Sequence, residues 1–294
     1  MKKILLIPLI IIVFVACSNE SINDQTYYFE RLNLEALWEH STGDSQIIAI
    51  IDTGITDTAL ELYQDNIISV YNSIDESRDV TDESEHAHGT QMISLIIGNG
   101  EAEVYGIAPN SQIIVIKAFE GFYSRSSGEI LAVAVEYAIS QEVDIISMSF
   151  GSFQVNEALE LAINRALEEG IVVVAATGDY GNRDSLFPAM MEGVISVRAK
   201  DYNGDFWRHS NIGDDDIMSM YGVEIRGLTF DNEYIEMSGT SHATALAAGY
   251  IALIRDYIRN DVLLTNEVIF DLLEYLNSNE NQVVDYLSPF RFFD

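Results

Sequence analysis

The hydrophobic positions of this chain fall into short continuous runs that alternate with longer stretches of helical period. After Gln46 comes Ile47-Ile48-Ala49-Ile50-Ile51, and further runs lie at Ile113–Ala118, Val143–Met148, Ile171–Ala176 and Val194–Val197. Runs of four to six mainly apolar residues, interrupted only at Lys117, Asp144, Ser147 and Ser196, predict strands buried on both faces. Between them, Gly128–Ser140 places Ile130, Leu131, Val133, Ala134, Val135 and Ala138 at helical spacing, and Asn156–Glu169 has the same period. A short buried helix is predicted at Met92–Ile97, a long one at Ser241–Tyr257 and a terminal one at Asn266–Leu276. Phe29, Leu32, Leu34, Leu37 and Trp38 suggest a short amphipathic helix or turn. Strands alternating with helices of ten to fifteen residues predict an α/β fold, a parallel sheet with helices on both faces connected by right-handed crossovers. Residues 201–236 read as loops and short strands punctuated by glycine, and residues 72–87 as an acidic surface loop.

The first twenty residues follow a different pattern. Lys2 and Lys3 precede the nearly unbroken apolar stretch Ile4–Val15, and Phe14-Val15-Ala16-Cys17-Ser18 closes it. Twelve residues are too few for a membrane-spanning helix and suit the apolar region of an export signal. The close of this stretch resembles a bacterial lipoprotein box, with Phe14 where a leucine is usual, and the resemblance implies lipidation at Cys17. Residues 1–16 are thus expected to be a signal peptide, 17–28 a polar tether holding the protein to the extracytoplasmic side of a membrane, and 29–294 one domain; an uncleaved anchor or plain secretion is the alternative. No repeat, low-complexity tract or interdomain linker divides that last segment. Cys17 is the only cysteine, so no intrachain disulfide forms.

Charge narrows the range of partners. Fifteen Lys and Arg against 47 Asp and Glu give a formal charge of -32, which repels nucleic-acid phosphates and suits basic peptides or simple solubility. The acidic loop lacks EF-hand spacing, so no motif supports a calcium site there and no cofactor is called for.

Three polar residues interrupt the apolar pattern at turns. Asp52 ends the first strand in Asp52-Thr53-Gly54, His88 opens the first buried helix in His88-Gly89-Thr90, and Ser241 opens the long helix after Gly239-Thr240. Each has a plain structural reading: a turn cap, a surface histidine, a helix N-cap. Together they supply what acyl transfer needs, namely a hydroxyl nucleophile, an imidazole base and a carboxylate to orient it. The intervals of 36 and 153 residues between them carry no information about contact.

These blocks, Ile51-Asp52-Thr53-Gly54-Ile55, His88-Gly89-Thr90 and Gly239-Thr240-Ser241-His242-Ala243-Thr244, resemble the three signature blocks of the subtilisin-like serine peptidases, in that family's order. Gly106-Ile107-Ala108-Pro109, Ser147-Met148-Ser149-Phe150-Gly151 and Phe187-Pro188-Ala189 agree with them, and the resemblance spans about residues 35–258. It implies a subtilisin-like three-layer sandwich and an exported serine endopeptidase with Ser241 as nucleophile, His88 as general base and Asp52 as its orienting carboxylate. It also implies that an extended peptide or protein substrate lies along Ser149, Phe150 and Gly151. His242 and Ala245 stand where the family often has Met and usually has Pro, and His86 lies outside the motif.

Two departures bear on activity. Asp179 occupies the position of the family's oxyanion-binding Asn, and an ionised carboxylate only accepts hydrogen bonds; Asn182 would serve instead if the loop were rearranged. About 35 residues separate Cys17 from Asp52, fewer than the pro-domain common in the family, so folding is expected to proceed without one or with help from elsewhere. The alternative is a catalytically weak binding or regulatory lipoprotein on the same scaffold. An α/β-hydrolase is disfavoured because Ala243 breaks the Gly-x-Ser-x-Gly elbow. Small acidic exported members of the family resemble leader peptidases that mature lantibiotic precursors.

Overall fold

A computed structural model of the protein describes residues 27–121, 124–181, 183–213 and 218–258. The signal peptide, Cys17, most of the tether, Asn182 and the helix expected at Asn266–Leu276 lie outside the described residues. Seven strands, β1 (Ile47–Asp52), β2 (Ile67–Asn72), β3 (Gln112–Lys117), β4 (Ile145–Met148), β5 (Val172–Ala176), β6 (Ile195–Lys200) and β7 (Met218–Tyr221), form one sheet in the order β2-β3-β1-β4-β5-β6-β7. Every neighbouring pair in it is parallel. The helices are α1 (Tyr27–Arg31), α2 (Leu34–Trp38), α3 (Asp57–Leu62), α4 (His88–Ile97), α5 (Gly128–Ser140), α6 (Glu157–Glu168) and α7 (Thr240–Ile258), and a hairpin of β8 (Ile225–Leu228) and β9 (Tyr234–Met237) leads into α7.

Successive residues of a strand point to opposite faces, which explains why the central strands are apolar at most positions. Ile48 and Ile50 of β1, with Ile113 and Val115 of β3, pack into one core with α4 and α7. Ala49 and Ile51, with Ile114 and Ile116, pack into a second core with α5 and α6. The three-layer α/β architecture is therefore as expected. Because all strands run one way, their carboxyl ends share one edge, where open α/β sheets place their sites. Asp52 ends β1, Ser149 follows β4 and Asp179 lies just beyond β5.

The structure differs from the sequence reading in three places. The segment around residues 29–40 is two short helices rather than one, broken at Asn33, whose φ of 50° is left-handed; asparagine tolerates this conformation better than most residues. β2 and α3 carry no clean periodicity, since β2 is an edge strand that stays half-exposed along most of its length. The short strands read within residues 201–236 are β7, which joins the main sheet, and the β8–β9 hairpin. The acidic loop is only partly a surface feature, because Val80, Asp82 and Ser84 alternate inward and are buried.

Candidate active site

The turn after β1 and the start of α4 are pressed together. A Cβ on Gly89 would sit 2.2 Å from the Gly54 carbonyl oxygen, and one on Gly54, whose φ is +113°, would sit 2.1 Å from the Val80 carbonyl oxygen. Only glycine allows this approach. It brings His88, the first residue of α4, onto Asp52, the last residue of β1. His88 Nδ1 lies 2.7 Å from Asp52 Oδ1, and the Thr53 N–H donates to the same oxygen at 2.7 Å. Asp52 is 4% exposed, whereas the His88 ring reaches the cleft. With Nδ1 donating to the carboxylate, Nε2 is the basic nitrogen.

Burial alone would push the His88 pKa down. The charge and hydrogen bond of Asp52 outweigh it, helped by the charges of Asp82 and Asp179, and the net shift is upward. A base whose pKa is raised above the ordinary value of about 6.5 loses function at a correspondingly higher pH. The His88 imidazole should therefore titrate, by NMR, with its midpoint above the ordinary value of about 6.5, and a midpoint below that value would contradict this electrostatic account.

Ser241 is the second residue of α7, half-buried at the sheet's carboxyl edge. Its hydroxyl donates to the Ser149 carbonyl at 3.0 Å rather than to His88, and the Ser149 hydroxyl donates back to the Ser241 carbonyl at 3.0 Å. Ser149 and His88 line the same cleft of about 430 Å³, together with Asp52, Glu85, Phe119, Phe150 and Met237. Asp52 and His88 thus meet at the cleft, and Ser241 is joined to its wall at Ser149, with the serine side chain turned toward the segment 149–151. Phe150 packs against Phe119 with ring centroids 5.2 Å apart, and Gly151 lines an adjoining cavity of about 590 Å³ that shares Phe119, Ser124 and Phe150 with the cleft. Ser149–Gly151 therefore forms the wall between the two spaces.

Asp179 caps the helix that carries Ser241. Its Oδ1 accepts from the Thr240 N–H at 2.9 Å and the Thr240 hydroxyl at 2.7 Å, and the Gly178 N–H donates to that hydroxyl at 3.2 Å. A carboxylate at a helix N-terminus is favoured because unpaired N–H groups and the helix dipole attract negative charge. Asp179 Oδ2 faces Gly239, 3.0 Å from where a Cβ on that glycine would lie. Asn211, fully buried, braces this turn by accepting from the Tyr180 N–H at 2.9 Å and donating to the Asp184 carbonyl at 3.1 Å.

The other two histidines near the site do not serve as its base. His86 is half-exposed, and its contribution to the fold is its carbonyl, which accepts from Gln91 Nε2 and the Thr229 hydroxyl. His242 is buried beside α4, with Nε2 3.1 Å from Gln91 Oε1. That oxygen only accepts, so Nε2 carries the proton and Nδ1 is an unpartnered acceptor. Burial, then the charge of His88, lowers the His242 pKa to about 3, so this ring stays neutral. Among the described residues no group of three or more His, Cys, Asp or Glu is placed to hold a metal ion, and no helix is long and apolar enough to cross a membrane.

Sequence reading missed Thr53, Asp82 and Ser84, which hold the start of α4, and Thr240, which receives Asp179. Only the alternation Val80-x-Asp82-x-Ser84 hinted at an inward-facing side of the acidic loop.

A profile of the subtilase family matches residues 43–283. The thermostable alkaline protease of Halalkalibacterium halodurans is 36% identical over 173 residues, 58% of this chain and 47% of that protein. The thermophilic serine proteinase of Bacillus sp. (strain AK1) is 34% identical over 226 residues, 76% of this chain and 56% of that protein. The chain thus spans about half the length of these curated relatives. Among solved structures, the prenylagaramide maturation protease PagA aligns with a TM-score of 0.69 at 26% identity, over 81% of this chain and 86% of that one.

Proposed function

Because the chain belongs to the subtilase family, we propose that it is a serine endopeptidase in which Ser241, His88 and Asp52 hydrolyse a peptide bond through an acyl-enzyme. One observation carries the reading: the 2.7 Å Asp52–His88 pair opens onto a cleft whose wall residue, Ser149, exchanges hydrogen bonds with Ser241. When substrate occupies Ser149–Gly151, the Ser241 hydroxyl turns from the Ser149 carbonyl to His88 Nε2, which takes its proton as Oγ attacks the scissile carbonyl. The imidazolium, stabilised by Asp52, then protonates the leaving amine as the carbon–nitrogen bond breaks. Water repeats the sequence on the acyl-enzyme: His88 takes its proton, hydroxide adds to the ester carbon, and Ser241 leaves with that proton restored. No cofactor enters these steps.

The oxyanion is met by the Ser241 N–H at the start of α7. Asp179 stands beside it as an acceptor, which slows catalysis at neutral pH. Asp179→Asn keeps an oxygen for Thr240 and turns an amide donor toward Gly239. The replacement should raise kcat at neutral pH, with an upper bound of about a hundredfold to a thousandfold set by a full oxyanion donor. An unchanged or lower kcat in a folded variant would remove Asp179 from the oxyanion site.

Export with lipidation at Cys17 is supported by the apolar run before it. The overall charge of -32 favours encounter with basic peptides. Similarity to a maturation protease supports processing of a precursor peptide, in keeping with the leader-peptidase resemblance. A fluorophosphonate probe should label the intact protein, and mass spectrometry of the digest should find the adduct on Ser241. Absence of an adduct at pH values above the His88 transition would instead favour a binding or regulatory protein on this scaffold.

A further inference from the structure

The acidic loop between β2 and α4 holds one buried carboxylate that the chemistry above leaves unused. Asp82 is 3% exposed. Its Oδ2 accepts from the Thr53 hydroxyl at 2.7 Å, and its Oδ1 accepts from the Ser84 hydroxyl at 2.6 Å and the Ser84 N–H at 2.9 Å. A hydroxyl has one proton, and a carboxylate can only accept. Each hydroxyl therefore gives its proton to Asp82 and presents lone pairs elsewhere. Thr53 Oγ1 accepts from the Gly89 N–H at 2.8 Å, and Ser84 Oγ accepts from the His88 N–H at 3.1 Å; a longer contact of 3.4 Å joins the two hydroxyls. These are the first two N–H groups of α4, which have no partner within the helix.

The loop itself is fixed at both sides of Asp82. The Ile55 N–H donates to the Val80 carbonyl at 2.8 Å, the Asp82 N–H donates to the Ile55 carbonyl at 3.0 Å, and the buried Lys117 ammonium donates to the Thr81 carbonyl at 2.6 Å. Thr53 is also the residue whose N–H donates to Asp52 Oδ1. One carboxylate thus grips the turn that carries Asp52 and, through two hydroxyls, the helix end that carries His88.

We propose that Asp82 is a positioning residue for the Asp52–His88 pair, holding the start of α4 so that the His88 ring meets Asp52 on one side and the cleft on the other. The assignment rests on the peptidase reading for its effect on turnover, but its effect on His88 stands apart from that reading. The charged and titratable groups facing His88 are Asp52 from β1, Asp82, Glu85 and His86 from the loop, Asp179 from the turn after β5 and the neutral His242 from α7. The Asp82 charge is among those that raise the His88 pKa, after Asp52.

The test compares wild type with Asp82→Ala and Ser84→Ala in the full chain. It reads kcat, KM and the acid limb with a peptide substrate, the His88 imidazole titration by NMR, the fraction of protein that reacts with a fluorophosphonate, and Tm. Asp82→Ala should lower kcat per reactive site by about tenfold to a hundredfold, with KM within about twofold. Its acid limb and the His88 titration should both move to lower pH. Ser84→Ala keeps the charge and cuts only the arm to the His88 N–H. It should lower kcat by about severalfold with the titration nearly unmoved, and it decides the matter if Asp82→Ala does not fold. Wild-type kcat and His88 titration in a folded Asp82→Ala protein, wild-type kcat in Ser84→Ala, or a loss that disappears on correction for reactive sites would each overturn the proposal. If wild type cleaves no peptide, the peptidase reading fails, and the NMR titration alone decides whether Asp82 positions and polarises His88.

Discussion

Replacing Ser241 with alanine should abolish fluorophosphonate labelling and lower kcat by about a millionfold, the scale found when the triad of subtilisin, a family member, is dismantled. The size follows from the chemistry: without the hydroxyl there is no acyl-enzyme, and residual hydrolysis depends on binding and the Ser241 N–H site alone. Stability should change little, because the lost hydrogen bond to the Ser149 carbonyl lies at the cleft and water can replace it. The comparison uses kcat and Tm of the two proteins under the same conditions. Retention of more than about a hundredth of wild-type kcat in the alanine variant would assign the nucleophile to another group.

Replacing Asp52 with alanine should lower kcat at neutral pH by about ten-thousandfold. Two contributions combine. The carboxylate holds Nδ1 as the donor, which leaves Nε2 free to take the serine proton, and its negative charge stabilises the imidazolium that forms. Without it the His88 pKa should fall, so the acid limb moves to lower pH while the plateau collapses. The same replacement strands the buried Thr53 N–H, at a cost of about 1–3 kcal/mol, so Tm must be measured alongside. A Ser241→Ala, Asp52→Ala double variant should be no slower than Ser241→Ala, because the residues act as one unit. Additive losses would mean that Asp52 does not act through the serine.

How far the sequence carried the fold depended on how each element is buried. β1, β3, β4 and β5 are covered on both faces, so most of their positions are apolar and the strands are easily read. β2 is an edge strand with half its surface exposed, and β7 is a short strand amid glycine-punctuated loops; neither has a run long enough to read. Within the site, Asp52, His88 and Ser241 were legible because each stands where polarity interrupts an apolar element and because their neighbouring residues match known blocks. Asp82 was hidden among Asp75, Glu76, Asp79, Glu83 and Glu85, since composition does not distinguish a carboxylate turned inward from its solvated neighbours.

Asp179 shows both halves of this. That a carboxylate stands where the family has an amide was evident from the residues alone. That it caps the helix bearing Ser241, through the Thr240 N–H and hydroxyl, required the turn after β5 to be brought against the start of α7.

By itself the sequence determined the alternation of buried strands and helices, the acidic charge, the apolar N-terminal stretch and the identity of the candidate groups. Apolar period and residue chemistry are properties of neighbours along the chain. Only the tertiary structure decided that Asp52 and His88 lie 2.7 Å apart, that Ser241 rests on Ser149, and which one of many acids is buried beneath the helix end. These depend on contacts between residues far apart in the chain, made when parallel strands align their carboxyl ends and two glycines let a helix close on a turn.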